Sequence, residues 1–156
     1  MRKIQPKILI LLILLTSCGF KVIDNSKQSD FYINEINTVG DRRVNFILKN
    51  ELIRNSKKDS LNQINLEITS KKIKKIKEKN IKNQVTKYEI NLNVELKVKI
   101  TSKDKMFKIS SSSNGNYSVA DNYSSTLSNE KKLIENLVEN ISEDIIKKIS
   151  SNINDL

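Results

Sequence analysis

Tyr88-Glu89-Ile90-Asn91-Leu92-Asn93-Val94-Glu95-Leu96-Lys97-Val98-Lys99-Ile100 is the stretch whose reading decides the fold. Tyr88, Ile90, Leu92, Val94, Leu96, Val98 and Ile100 are apolar, and every residue between them is polar. A helix would scatter these seven side chains around its circumference, whereas a strand puts all of them on one side. The alternation therefore predicts a long strand with one face in a core and the other in a polar setting.

The neighbouring segments extend this into a sheet. Upstream, Ile64, Leu66 and Ile68 alternate with Asn65 and Glu67, a second strand. Downstream, a turn over Thr101 to Lys105 leads into Met106-Phe107-Lys108-Ile109, a serine run from Ser110 to Ser113, and then Gly115, Tyr117 and Val119. Apolar residues on both sides of the serines favour one continued strand, with a kink or bulge expected near Gly115. Near the start, Phe31-Tyr32-Ile33-Asn34-Glu35-Ile36 reads as a first strand, and Gly40-Asp41 as a turn with a helix N-cap.

Two amphipathic helices complete the pattern. From Arg42 to Asn55, Val44, Ile47, Leu48 and Leu52 share a face with Ile53 at its flank, while Arg42, Arg43, Lys49 and Arg54 lie off it. A last helix of about 25 residues carries Ile134, Leu137, Val138, Ile141, Ile145, Ile146 and Ile149 at helical spacing. Lys147 and Lys148 stand near its C-terminal end, where the helix dipole favours cations. Each helix must cover one apolar face. The predicted fold is therefore α+β, with two helices packed on one face of a four-stranded, mixed and mostly antiparallel sheet in the order β-α-β-β-β-α. Strands 1 and 2, joined through a helix, can pair in parallel, and strands 2 to 4 read as an antiparallel meander.

The chain opens differently. Arg2, Lys3 and Lys7 precede the apolar run Ile8 to Leu15, which meets Thr16, Ser17 and the chain's one cysteine, Cys18. Eight apolar residues span about 12 Å, short of the ~30 Å core of a bilayer. Charge, apolar run, small residues and cysteine in that order read as a lipoprotein signal, cut before Cys18, whose thiol takes a diacylglycerol and whose new amine is acylated. A lone cysteine in an exported chain has no intramolecular disulfide partner, which suits lipidation. Gly19 follows the cysteine, and with no Asp there outer-membrane sorting is the expectation. The organisation is thus residues 1–17 as signal peptide, 18–30 as lipidated tether, and 31–156 as a single domain.

Composition narrows the chemistry. The 156 residues hold 28 Lys+Arg against 18 Asp+Glu; without Arg2, Lys3 and Lys7 the balance is 25 to 18, a net charge of +7. Such a surface suits an anionic partner, although a lysine-rich composition also serves solubility. With no histidine, and Cys18 committed to lipid, histidine acid–base chemistry, a cysteine nucleophile and His/Cys zinc sites are excluded. Three glycines cannot build a glycine-rich phosphate loop, and scattered aromatics make no stacking platform for nucleic acid. No enzyme, cofactor or metal is expected. Lys71, Lys72, Lys74, Lys75, Lys77, Lys79 and Lys82 crowd the join between strands 2 and 3. A hairpin tip of this kind could meet several phosphates as point charges; a solvated loop is the competing reading.

These pieces together resemble the LPS-assembly lipoproteins (LptE). The resemblance rests on Leu15-Thr16-Ser17-Cys18-Gly19-Phe20, the first strand, and Asp41-Arg42-Arg43 opening helix 1. It continues through Gly115-Asn116-Tyr117-Ser118-Val119, Asn122-Tyr123-Ser124, and a helix opened by Asn129-Glu130 that closes on Glu143-Asp144-Ile145-Ile146-Lys147-Lys148-Ile149. Where the family has a proline soon after the start, Lys21-Val22-Ile23 stands here. The resemblance implies a non-catalytic lipoprotein at the periplasmic face of the outer membrane. Such a protein plugs and helps assemble the LptD β-barrel and takes part in lipopolysaccharide transport to the outer leaflet. It also implies polar faces, such as Asn91, Asn93, Glu95, Lys97 and Lys99, turned to a barrel lumen, and contact of the lysine cluster with lipopolysaccharide phosphates. The alternatives are a pilotin or an auxiliary subunit of a lipid transporter and, in another class, a periplasmic hydrolase.

Overall fold

The computed structural model describes residues 31–155. The signal peptide, Cys18 and the tether lie outside the described residues. Four strands and two helices follow in the expected order: β1 (Tyr32–Gly40), α1 (Arg42–Arg54), β2 (Gln63–Lys79), β3 (Val85–Ile100), β4 (Lys105–Ser118) and α2 (Tyr123–Asn154). The sheet order is β1-β2-β3-β4, with β1 parallel to β2 and the other pairs antiparallel. The predicted α+β layout, with its parallel first pair and antiparallel meander, is the one observed.

The alternation of β3 sets the layers. Ile90, Leu92, Val94, Leu96, Val98 and Ile100 are all buried and join one core cluster with β2's Ile64, Leu66 and Ile68, α1's Val44, Leu48 and Leu52, and the α2 stripe from Ile134 to Ile153. Both helices therefore pack on the same side. On the opposite face of the sheet β3 is polar from Glu89 to Lys99. It bears Lys97 paired with Glu67 at 3.0 Å and Lys99 paired with Asp104 at 3.3 Å. Among the described residues, no helix is long and apolar enough to cross a membrane.

α1 starts where the sequence indicates. The Asp41 carboxylate accepts from the N–H groups of Arg43 (3.1 Å) and Val44 (3.0 Å), satisfying donors that the first helical turn leaves open. Gly40 makes that start possible, with φ at +109° and its backbone pressed on β2: a Cβ there would lie 1.9 Å from the Ser70 carbonyl oxygen.

Four boundaries differ from the sequence expectation. β1 continues past Ile36 through Asn37, Thr38 and Val39, because β2 supplies ladder partners as far as Ser70. β2 runs on to Lys79, because β3 is long enough to pair with it back to Val85. α2 has 32 residues and starts at Tyr123, capped by the Asn122 side chain accepting from the Ser125 N–H at 2.7 Å. β4 holds unbroken register with β3, so the kink or bulge expected near Gly115 is not present. Gly115 instead lets α2 approach: a Cβ there would stand 2.7 Å from Leu133 Cδ1.

Candidate functional site

The lysines from Lys71 to Lys79 lie in β2 and not in a hairpin loop; the turn holds Lys82. This corrects the expected tip and changes what the cluster can do. A strand sends successive side chains to opposite faces, so the lysines are sorted by backbone alternation.

Lys72 and Lys74 follow Ile64, Leu66, Ile68 and Ser70 on the helix side, where β2's own aliphatic run ends opposite the buried Leu92 and Ile90 of β3. Lys72 reaches the N-cap carboxylate of α1, with Nζ 3.1 Å from Asp41 Oδ2. Burial alone would raise the Asp41 pKa, but the Val44 N–H, Lys72 and the Arg43 N–H prevail and lower it. Lys74 donates to Glu130 Oε2 of α2 at 2.8 Å, and its ammonium lies 4.3 Å from the Tyr88 ring centroid and 5.2 Å from that of Tyr117. The two rings stack with centroids 5.6 Å apart, and the Tyr117 hydroxyl donates to the same Glu130 oxygen at 2.7 Å. Burial works against the Lys74 charge, yet the Glu130 bond, with Tyr117 beside it, raises its pKa. For Glu130 burial is likewise outweighed, and Lys74 and Tyr117 lower its pKa. These two lysines tie the hairpin to the helices.

Lys71, Lys75 and Lys77 belong to the other set. Lys77 donates to Glu89 at 2.8 Å and lowers the pKa of that carboxylate together with Asn91. Lys79 donates to the Asn83 side-chain oxygen at the turn, at 2.9 Å. Among the described residues Lys71 and Lys75 make no ion pair, and both are exposed. Lys71 is level with Asn93, and Lys75 with Glu89, on the strand that carries Asn91, Glu95, Lys97 and Lys99. The candidate contact surface is thus a polar sheet face with exposed ammonium groups at its distal end. That surface can bind anions by charge and hydrogen bonding. Among the described residues no group of three metal-ligating side chains gathers. The partners of Lys72 and Lys74 were not foreseen from sequence; Glu130 lies 56 residues from Lys74.

No family model matches the chain, and no curated protein matches it. Solved structures do. The fold is similar to that of a candidate lipoprotein from Caulobacter crescentus CB15, with a TM-score of 0.58 at 13% identity over 83% of this chain and 94% of that one. Rare lipoprotein B from Shewanella oneidensis matches at a TM-score of 0.49 and 15% identity, over 78% of this chain and 98% of that one. Lipoprotein B from Nitrosomonas europaea matches at 0.49 and 10%, over 87% and 93%. At 13% identity, what this chain shares with the Caulobacter protein is the architecture of two helices over one face of a four-stranded sheet.

Proposed function

We propose that this chain is an outer-membrane lipoprotein of the LPS-assembly type. It is tethered at the periplasmic face through lipid on Cys18, and its domain seats in the lumen of an LptD-type β-barrel and assists lipopolysaccharide passage. The observation that carries the reading is the two-faced sheet: one side is sealed by both helices, while on the other the long central strand β3 presents only polar side chains from Glu89 to Lys99. The lumen of an outer-membrane barrel is polar, and a plug must offer it a polar, hydrogen-bonding wall. The lipobox before Cys18 and the fold shared with a candidate lipoprotein support the same reading.

In this role Lys71, Lys75, Lys77 and Lys79 meet lipopolysaccharide phosphates, while Lys72 and Lys74 hold the hairpin in place. Affinity purification of the lipidated protein from membranes is the test. A stable one-to-one complex with a large barrel protein is expected; recovery with a secretion pore or an inner-membrane lipid transporter would assign the chain to the pilotins or auxiliary subunits. Reversing Lys71, Lys75, Lys77 and Lys79 to Glu should weaken binding of purified lipopolysaccharide by about tenfold or more, several phosphate contacts being lost together. Unchanged binding would remove these lysines from the mechanism.

A further inference from the structure

α1 has two faces of different character. Val44, Leu48 and Leu52 turn to the core and are buried. At about 100° per residue, the opposite face carries Phe46 and Ile53 along its centre. Arg42 and Lys49 flank them on one side, Arg43 and Arg54 on the other, and all of these side chains are exposed. Phe46 is 69% exposed and Ile53 48%. The one carboxylate of α1, Glu51, stands off this face and is held by Arg54 at 2.9 Å.

The fold uses little of this face. Among the described residues Arg42, Arg43 and Lys49 form no ion pair. Arg42 and Arg43 stand in the first turn, where the helix dipole favours anions and no acidic residue is present. α2, in the same layer, shows an ordinary solvated face. Its outward line of Lys132, Asn136, Glu139, Glu143 and Lys147 mixes both signs and holds nothing apolar. On α1 two large apolar side chains stand two turns apart, about 10 Å along the axis, between rows of cations. A helix lying in a bilayer interface has this pattern: apolar side chains enter the acyl boundary, while Lys and Arg stems carry their charges back to the phosphates.

α1 also ends beside the point where the tether enters the domain. The loop after it carries exposed Lys57, Lys58 and Leu61, with Asp59 as its one acid, and Leu61 is 91% exposed. The Lys57 N–H donates to the Phe31 carbonyl oxygen at 2.8 Å. Residues 18–30 precede Phe31, and a segment of that length reaches at most about 45 Å. A lipid on Cys18 therefore keeps this face, about 20 Å long, within reach of the bilayer that holds it.

We infer that α1 is a second membrane contact, its outer face lying on an anionic phospholipid bilayer. Phe46 and Ile53 enter the interface, and Arg42, Arg43, Lys49 and Arg54 meet headgroup phosphates. The cations select an anionic surface. The apolar side chains protrude from a convex helix that has no groove for a small ligand, whereas a fluid headgroup region closes around them. A second copy fits less well, since a two-fold pair would set the same cations face to face. The nearness of the bilayer rests on the lipidated Cys18 of the proposed function. The contact belongs to the tethered domain before it engages a partner, and it stands whether or not that partner is a barrel.

The test holds the lipidated full chain in vesicles of phosphatidylethanolamine and phosphatidylglycerol. The chain has no tryptophan, so Phe46→Trp and Ile53→Trp each place a single reporter on the face. Both should be quenched by dibrominated acyl chains, while Asn93→Trp, on the polar face of β3, should not. Arg42→Gln with Arg43→Gln, added to Phe46→Trp, should lower the contact equilibrium by about tenfold or more, each charge at an anionic surface being worth about fivefold. Vesicles of phosphatidylcholine alone should weaken the contact likewise. Reporters at 46 and 53 quenched no more than the one at 93 would overturn the proposal and leave the face to a protein partner. Quenching unchanged by the loss of charge would overturn the part given to the phosphates. The mass of the purified protein reports the lipid on Cys18 separately, so a failed contact and a failed anchor are told apart.

Discussion

The β2–β3 hairpin is one ladder, in unbroken register from Ile64 to Ile76 and shifting only toward its tip, yet its two halves are stabilised differently. From Ile64 to Ser70 the helix-facing side chains of β2 are buried, and Ile64, Leu66 and Ile68 belong to the core cluster. From Lys71 to Lys79 the helix side of β2 passes from aliphatic residues to lysines, while Leu92 and Ile90 opposite them on β3 stay buried, and the face gains Lys72 paired with Asp41, and Lys74 with Glu130, Tyr88 and Tyr117. The first half depends on area removed from water, which neither salt nor pH changes much. The second adds to β3's buried Leu92 and Ile90 a set of partly exposed charges, which respond to both. A protein built this way keeps a firm body and a hairpin end whose stability follows its ionic surroundings.

The largest expected effect separates the halves with one substitution made twice. Ile68 and Ile76 are on the same strand, and they are 1% and 54% exposed. Ile68→Ala should destabilise the domain by about 2–5 kcal/mol, the usual cost of emptying a packed site. Ile76→Ala should cost below about 1 kcal/mol, as substitutions in exposed positions do. Urea unfolding of both variants decides it; equal losses would mean that the core reaches farther along the hairpin than its burial pattern indicates.

How much of this was legible in the sequence follows from the same contrast. β3 announced itself because its alternation survives from Tyr88 to Ile100. The far half of β2 is hidden in the sequence because the apolar positions of its pattern pass to Lys72 and Lys74, and a lysine in a strand is indistinguishable from a lysine in a loop when partners are unknown. One signal was present: a strand as long as β3 cannot leave half its ladder open inside a sheet, so a neighbour of similar length was required. The early start of α2 was hidden for a related reason, since Tyr123 and Leu127 are exposed and its apolar stripe begins later. For the site, residue types and region were visible. The division of the lysines between two faces depended on the register of β2, and the partners Asp41 and Glu130 arrive from distant parts of the chain.

The ion pair at the distal end gives the next effect in size. Lys74→Met keeps the aliphatic stem but removes the charge between Glu130 and the two rings, and should cost about 1 kcal/mol, as expected for a half-exposed pair with a cation–π contribution. The pH dependence has a definite sign. Glu130 and Asp41 have pKa values lowered in the folded state, from ordinary values of 4.5 and 3.8. Their stabilisation is therefore present above those values and lost as pH falls through the lower folded ones. Lys74 and Tyr117 have pKa values raised from 10.5 and 10.0, so their contribution is complete below those values and declines as pH rises through the folded ones. Thermal melts at pH 7 and pH 3 should show a smaller acid loss in Glu130→Gln than in the parent. An identical loss would place the acid sensitivity elsewhere.

The smallest expected stability effect is at Lys75, and it is informative because it is small. Lys75 is one residue from Lys74 but on the opposite face, exposed and without an ion pair among the described residues. Lys75→Met should change the unfolding free energy by less than about 0.5 kcal/mol, as surface substitutions away from structural contacts do. Paired with Lys74→Met, it tests whether backbone alternation, and not lysine content, sorts the cluster into scaffold and surface. If Lys75→Met cost as much as Lys74→Met, both would belong to the scaffold, and the exposed charge available to an anionic partner would be reduced to Lys71 and the turn. If it costs almost nothing and still weakens lipopolysaccharide binding, a charge that does no structural work remains on the polar face because something outside the chain uses it.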